Sequence, residues 1–126
     1  MKYRDLYKKA KEMTEYSYAP FSKFHVGAAL LAKNGDVFTG CNVENSSFGA
    51  TICAERTAMV KAISEGNREW EALAVVSAEG AVWPCGICRQ FIREFVDDDF
   101  VIITGDDVDN LKTYTVTEIL PEGFKL

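Results

Sequence analysis

Three cysteines and one glutamate carry the chemistry this chain is equipped to do. They fall in two short stretches, Thr51-Ile52-Cys53-Ala54-Glu55-Arg56-Thr57-Ala58 and Pro84-Cys85-Gly86-Ile87-Cys88. Zinc centres with three protein ligands keep a fourth position open for water, whereas structural centres close with four. Zinc brings the pKa of such a water toward neutrality and makes it a nucleophile. Cys53, Cys85 and Cys88 are therefore expected to hold one Zn2+ per chain. Glu55 follows Cys53 by two residues, a spacing that a helix turns to a different side. It is expected to exchange protons with the water rather than to ligate the metal.

Both cysteine stretches read as helix starts. Helix N-termini present free N–H groups and partial positive charge, which favour thiolate over thiol. Three thiolates on a divalent ion leave about one surplus negative charge, which blunts its power to ionise water. The two helix ends offset that surplus, and Arg56 is spaced to help. Cys85 and Cys88 stand at i and i+3, one side of a first helical turn, and can share one ion. Cys41, without a partner at ligand spacing, reads as a buried small hydrophobe. His25, the one histidine, falls within a strand pattern and reads as structural.

The elements that must position these groups follow from periodicity. Tyr3, Leu6, Tyr7, Ala10 and Met13 form an i, i+3/i+4 stripe, so a helix is predicted over 3–18, ended by Ala19-Pro20. Phe24 to Ala32 reads as a strand, Asn34-Gly35 as a hairpin turn, and Asp36 to Cys41 as the returning strand. Residues 42–52 form a polar loop. A second helix spans about Cys53 to Glu65 and stops at Gly66. Ala72 to Ala78 is a near-continuous apolar run, as for a strand covered on both faces. Pro84 opens a third helix with Ile87, Phe91, Ile92, Phe95 and Val96 inward. Phe100 to Thr104 and Lys112 to Thr115 are further strands, and Thr115-x-x-Glu118 a capping box before a short helical turn. Strand–helix–strand over 72–104 predicts a parallel crossover in a mixed sheet.

At 126 residues the chain is expected to be a single domain, 1–126. Apolar residues make up 48% and charged residues 26%, a globular composition. The formal net charge of −5 and the absence of a clustered basic surface argue against nucleic acid as the substrate. Lys8-Lys9-Ala10-Lys11 lies in the amphipathic stripe and reads as a solvated helix face. Neither a signal-peptide pattern nor a run of membrane-spanning length is present, and the cysteines read as ligands rather than disulfides, so a cytoplasmic location and no membrane partner are expected.

With these residues in view, the chain resembles the small zinc-dependent cytidine deaminases. The matching pieces are Tyr18-Ala19-Pro20-Phe21-Ser22-Lys23-Phe24, Val26-Gly27-Ala28-Ala29, Gly40-Cys41-Asn42-Val43-Glu44-Asn45, Cys53-Ala54-Glu55-Arg56-Thr57-Ala58, Pro84-Cys85-Gly86-Ile87-Cys88-Arg89-Gln90 and Leu120-Pro121-x-x-Phe124. The order x-Glu followed by Pro-Cys-x-x-Cys is the general pattern of zinc deaminases. The resemblance implies hydrolysis of cytidine and 2′-deoxycytidine to uridine and 2′-deoxyuridine with release of ammonia. It also implies a three-layer α/β/α fold around a five-stranded mixed sheet, and a homotetramer whose active sites borrow residues from neighbouring subunits. Cys53, Cys85 and Cys88 match the family's zinc ligands, Glu55 its proton shuttle and Arg56 its charge-balancing arginine. Asn42 and Glu44 match the pair that hydrogen-bonds the ribose, Phe24 the aromatic that packs on the nucleoside, and Ala54 a backbone contact to the pyrimidine.

Taken as bare residues, Asn42 and Glu44 suit either open solvent or a sugar hydroxyl, and Phe24 either core or ligand contact. Phe124, near the end of the sequence, is expected on a partner surface, and the resemblance puts it over a neighbour's substrate. Phe48 stands where many relatives carry tyrosine, which keeps the aromatic face and removes a hydroxyl. The weighed alternatives are a deaminase of a modified cytosine nucleoside such as blasticidin S, a polynucleotide-editing deaminase, and a zinc-stabilised binding module without catalysis. Asn42-Val43-Glu44-Asn45 favours a plain nucleoside over the first, the acidic charge disfavours the second, and the three-ligand pattern disfavours the third.

Overall fold

The two longest apolar runs become two of the three inner strands of one sheet. A computed structural model describes residues 2–126. Strand β1 (Val26–Ala32) is buried at all seven positions, and β3 (Trp70–Ser77) at all but Glu71. Burial on both faces is what a continuous apolar strand requires. They pair antiparallel, with Leu30 opposite Leu73. Strand β2 (Val37–Cys41) returns against β1 through Asn34-Gly35, where Gly35 takes φ 97°. Strand β4 (Val101–Gly105) lies parallel to β3, and β5 (Leu111–Thr115) antiparallel to β4. The spatial order is β2-β1-β3-β4-β5. The five-stranded mixed sheet and its parallel crossover are as expected.

Helices cover both faces. Helix α1 (Tyr3–Met13) packs Leu6, Tyr7 and Ala10 against Ala29, Leu31, Ala74 and Val76. The opposite face carries α2 (Ala54–Ser64), α3 (Gly86–Phe95) and α4 (Val116–Ile119) over Ala28, Leu30, Leu73, Val75 and Ile102. This is the three-layer α/β/α arrangement. The capping box of α4 forms: Thr115 Oγ1 accepts from the Glu118 backbone N–H, and the Glu118 carboxylate accepts from that of Thr115.

One glycine decides how closely α2 approaches the sheet. A Cβ on Gly40 of β2 would lie 2.6 Å from both Ala54 O and Ala58 N. Only a residue without a side chain lets the first turns of α2, and hence Cys53 and Glu55, sit directly on β2.

Four local expectations need correction. Helix α1 ends at Met13 and continues only as a 3-10 turn to Tyr16. The chain is then extended, because the Tyr18 backbone is committed to the 42–44 segment: its N–H donates to Asn42 O and its carbonyl accepts from Glu44 N. Strand β1 starts at Val26 rather than Phe24, because the Asn42 amide takes Phe24 O and Val26 N. Ile87 of α3 is 67% exposed rather than inward, and Cys41 is half-buried rather than buried. Among the described residues no helix is long and apolar enough to cross a membrane.

Candidate active site

Three connections bring the chemistry-bearing residues to one end of the sheet. Val43 and Ile52 bridge antiparallel through Val43 N to Ile52 O (2.9 Å) and Ile52 N to Val43 O (3.0 Å). That bridge sets the Asn42–Glu44 segment beside Cys53, the N-cap of α2. Cys85 is the N-cap of α3, and Cys88 lies in its first turn. The loop holding Cys85 is tied down on both sides. Thr104 Oγ1 of β4 donates to Val82 O at 2.8 Å, and Arg89 donates to Pro84 O at 2.7 Å and to Ile119 O at 2.9 Å.

The three cysteine sulfurs lie within 4.8 Å of one another, with Cys53 and Cys85 Sγ atoms 3.7 Å apart. Tetrahedral thiolates at about 2.3 Å from zinc are separated by about 3.8 Å, so this donor set fits that ion. Among the described residues no fourth metal-ligating side chain joins the cluster, which leaves the ligand count of an open centre. The hydrogen bond from Cys88, followed by that from Arg56, pulls the Cys53 thiol down to about 5, and the same shared bond pushes Cys88 up. Arg56 Nη2 stands 3.6 Å from Cys53 Sγ and 3.4 Å from Thr51 O, with Nε buried and unpartnered. A guanidinium against a sulfur at the ligand cluster has the charge needed to offset thiolates.

Glu55 is 3% exposed. Burial raises its carboxyl to about 7, with the Cys53 charge adding to the effect. It lines a cavity of about 290 Å3 together with Cys53, Ala54, Cys85, Phe24, Asn42 and Glu44. Seven residues singled out in the sequence therefore share one cavity.

Asn42 and Glu44 do not face open solvent; each is 9% exposed. Asn42 Oδ1 accepts from Val26 N (2.9 Å) and Ser17 Oγ (2.5 Å), and Nδ2 donates to Phe24 O (2.8 Å). One Nδ2 hydrogen is left over. Glu44 Oε1 accepts from Phe21 N (2.9 Å) and Ser22 N (3.1 Å), while Oε2 accepts from Ser22 Oγ. The Ser22 hydroxyl, with the two backbone donors, holds Glu44 below the usual carboxylate range. The pair thus offers one spare donor and one spare acceptor position, on Oε2.

Phe48 and Phe124 stay outside the cavity of their own chain. Phe48 is 74% exposed with its ring edge-on to Phe21, and Phe124 is 63% exposed with its backbone bonded to the Gln90 side chain. His25 pairs with Glu79 at 3.1 Å and is not among the residues lining the cavity. Sequence reasoning did not single out Ser22, Ile52 or Trp83, which also line the cavity. Ser22 lies inside a matched motif, and Trp83 directly precedes Pro84-Cys85, so proximity to motif residues was the available signal.

Comparison with known proteins gives the chain a family. Residues 1–104 match the model of the cytidine and deoxycytidylate deaminase zinc-binding region. The chain belongs to that family. A cytidine deaminase of Sporosarcina psychrophila is 47% identical over 116 residues, covering 91% of this chain and 85% of the relative. The crystal structure of cytidine deaminase from Burkholderia pseudomallei superposes with a TM-score of 0.91 at 40% identity, covering 98% of this chain and all of that one. A blasticidin-S deaminase of Bacillus cereus is more distant, 30% identical over 79% of this chain and 76% of its own length.

Proposed function

We propose that this chain, acting as one catalytic domain over 1–126, hydrolyses cytidine and 2′-deoxycytidine to uridine and 2′-deoxyuridine with release of ammonia. The observation that carries the reading is the meeting, in one cavity, of Cys53 and Cys85 from the cysteine cluster, a buried carboxyl and a sugar-sized hydrogen-bonding pair. The cavity is at the small end of ligand pockets, about 300–1,000 Å3, which suits a nucleoside better than a polynucleotide. Cys53, Cys85 and Cys88 would hold Zn2+, which when bound supplies an ionised water as nucleophile.

The chain's own residues do the rest. Glu55 takes a proton from the water, delivers one to ring N3 and passes another to the departing amine. Oxygen becomes bonded to C4 as the C4–N4 bond breaks, and ammonia leaves. The raised carboxyl suits both accepting and returning protons near neutral pH. Ala54, at the start of α2, offers a free backbone N–H to the pyrimidine. Phe24 packs on the base, and Arg56 offsets thiolate charge. The spare donor of Asn42 and the spare acceptor of Glu44 together satisfy a single sugar hydroxyl.

We also propose a cytoplasmic homotetramer in which Phe48 and Phe124 reach a neighbour's substrate. Their exposure supports this. So does an apolar groove of about 650 Å3 bordered by Ile87, Phe91, Phe95, Phe124 and Leu126. The test of the reaction is the ultraviolet band of cytidine with zinc-loaded protein, beside Glu55→Ala. The band is lost with wild type only, and Glu55→Ala keeps its zinc. Substantial turnover by the variant refutes the shuttle. No turnover by zinc-loaded wild type refutes the substrate and moves the reading to a modified cytosine nucleoside.

A further inference from the structure

Trp83 takes no part in the proposed reaction. It is 45% exposed, unusual for so large an apolar ring, yet it lines the same cavity as Glu55, Cys85 and Phe24. Its backbone is held on either side, since the carbonyl of Val82 accepts from Thr104 and that of Pro84 from Arg89. Its ring is held as well, edge-on to Tyr114 of β5 with centroids 4.8 Å apart. A large side chain fixed at both backbone and ring is a wall rather than a loose rim.

Chemistry sets which part of the substrate meets that wall. The amino-bearing carbon must face the cysteine cluster, and the sugar must reach Asn42 and Glu44. Ring N3 must face Glu55, which belongs to α2. C5 flanks C4 on the side away from N3, and so turns away from Glu55; the cavity lining beyond α2 includes the loop entering α3, through Val82, Trp83 and Cys85. Trp83 lies in that loop, two residues before Cys85 and within about 7 Å of it along the backbone.

Resting on the cytidine reading, we propose that Trp83 is a specificity-determining residue that walls the C5 edge of the base and restricts substituents there. One methyl group against a packed wall changes selectivity by roughly 10–200-fold.

The experiment compares kcat/KM for cytidine and 5-methylcytidine in wild type, Trp83→Phe and Trp83→Ala, each zinc-loaded and with its thermal midpoint recorded. The ratio of 5-methylcytidine to cytidine rises about tenfold or more in Trp83→Ala, and less in Trp83→Phe, which keeps an aromatic edge for Tyr114. A general structural defect lowers both substrates together and leaves the ratio unchanged, which overturns the proposal. A second readout needs no turnover. Trp70, the other tryptophan, is buried with its indole N–H on Asn67 O. Uridine quenches wild-type tryptophan emission, and the quenching disappears in Trp83→Phe. Quenching that persists in that variant overturns the proposal, even if Trp83→Ala does not fold. If wild type turns over no cytidine, the substrate reading fails, and this inference with it; turnover with an unaltered ratio refutes this inference alone.

Discussion

At Arg56 a single guanidinium lies against the sulfur of Cys53. If its charge offsets the thiolate surplus, Arg56→Ala lowers kcat by about tenfold, equivalent to about 1.4 kcal/mol, or weakens zinc binding in a competition titration, while the thermal midpoint moves little. Wild-type values for both kcat and zinc affinity refute the compensation. The Asn42–Glu44 pair makes a second prediction at this scale. Its spare hydrogen-bonding capacity suffices for one hydroxyl, common to ribose and 2′-deoxyribose, so this pair does not read the 2′ position. Cytidine and 2′-deoxycytidine are expected to have kcat/KM within a few-fold of each other. Glu44→Gln removes the charge that the Ser22 hydroxyl and two backbone donors are arranged around, and raises KM for both nucleosides alike by about tenfold or more, the loss expected for a charge-assisted bond of about 1.5–3 kcal/mol. A large preference for one sugar would show that another group reads the 2′ position.

Among the elements, α2 and α3 matter because the start of each reaches the same cavity, through Cys53, Ala54 and Glu55 for α2 and the N-cap Cys85 for α3. Their placement depends on backbone contact as much as on side chains. Gly40→Ala forces a Cβ against Ala54 O and Ala58 N, both main-chain atoms that cannot rotate aside. Overpacking of this kind costs roughly 1–3 kcal/mol, read as a fall of several degrees in thermal midpoint, and displaces Glu55 relative to Cys85. Activity should therefore fall by more than the lost folded fraction explains. A variant with full specific activity and an unchanged midpoint would show that α2 does not need this close approach.

For the whole molecule, one chain leaves its exposed aromatics without cover. Phe48 and Phe124 stand outside their own cavity, and Ile87, Phe91, Phe124 and Leu126 border an apolar groove. If the proposed tetramer buries that groove, Ile87→Asp lowers the mass measured by light scattering and lowers activity with it. Phe124→Ala, a smaller change, should raise KM more than it lowers the mass. A wild-type chain that runs as a fully active monomer refutes the shared-site reading outright.

What the sequence determined by itself was local or combinatorial. Metal-ligand spacing, helix starts at Cys53 and Cys85, the turn at Asn34-Gly35, the capping box at Thr115 and the buried runs of β1 and β3 all follow from short-range rules of valence and periodicity. Those rules do not need to know what packs on what. Tertiary structure decided the rest. The α1 stripe looked helical to residue 18, but long-range bonds from Asn42 and Glu44 drew Tyr18 into an extended bridge. Asn42 and Glu44 read equally well as solvated loop residues, and became buried only because Ser17, Phe21, Ser22 and Val26 surround them. Ile87 satisfies the helical stripe of α3, yet the described residues leave it 67% exposed. Trp83 carries no motif of its own and entered the cavity through the anchoring of its loop to β4, α3 and α4. In each case the deciding contact joins segments far apart in the chain, where local pattern has no reach.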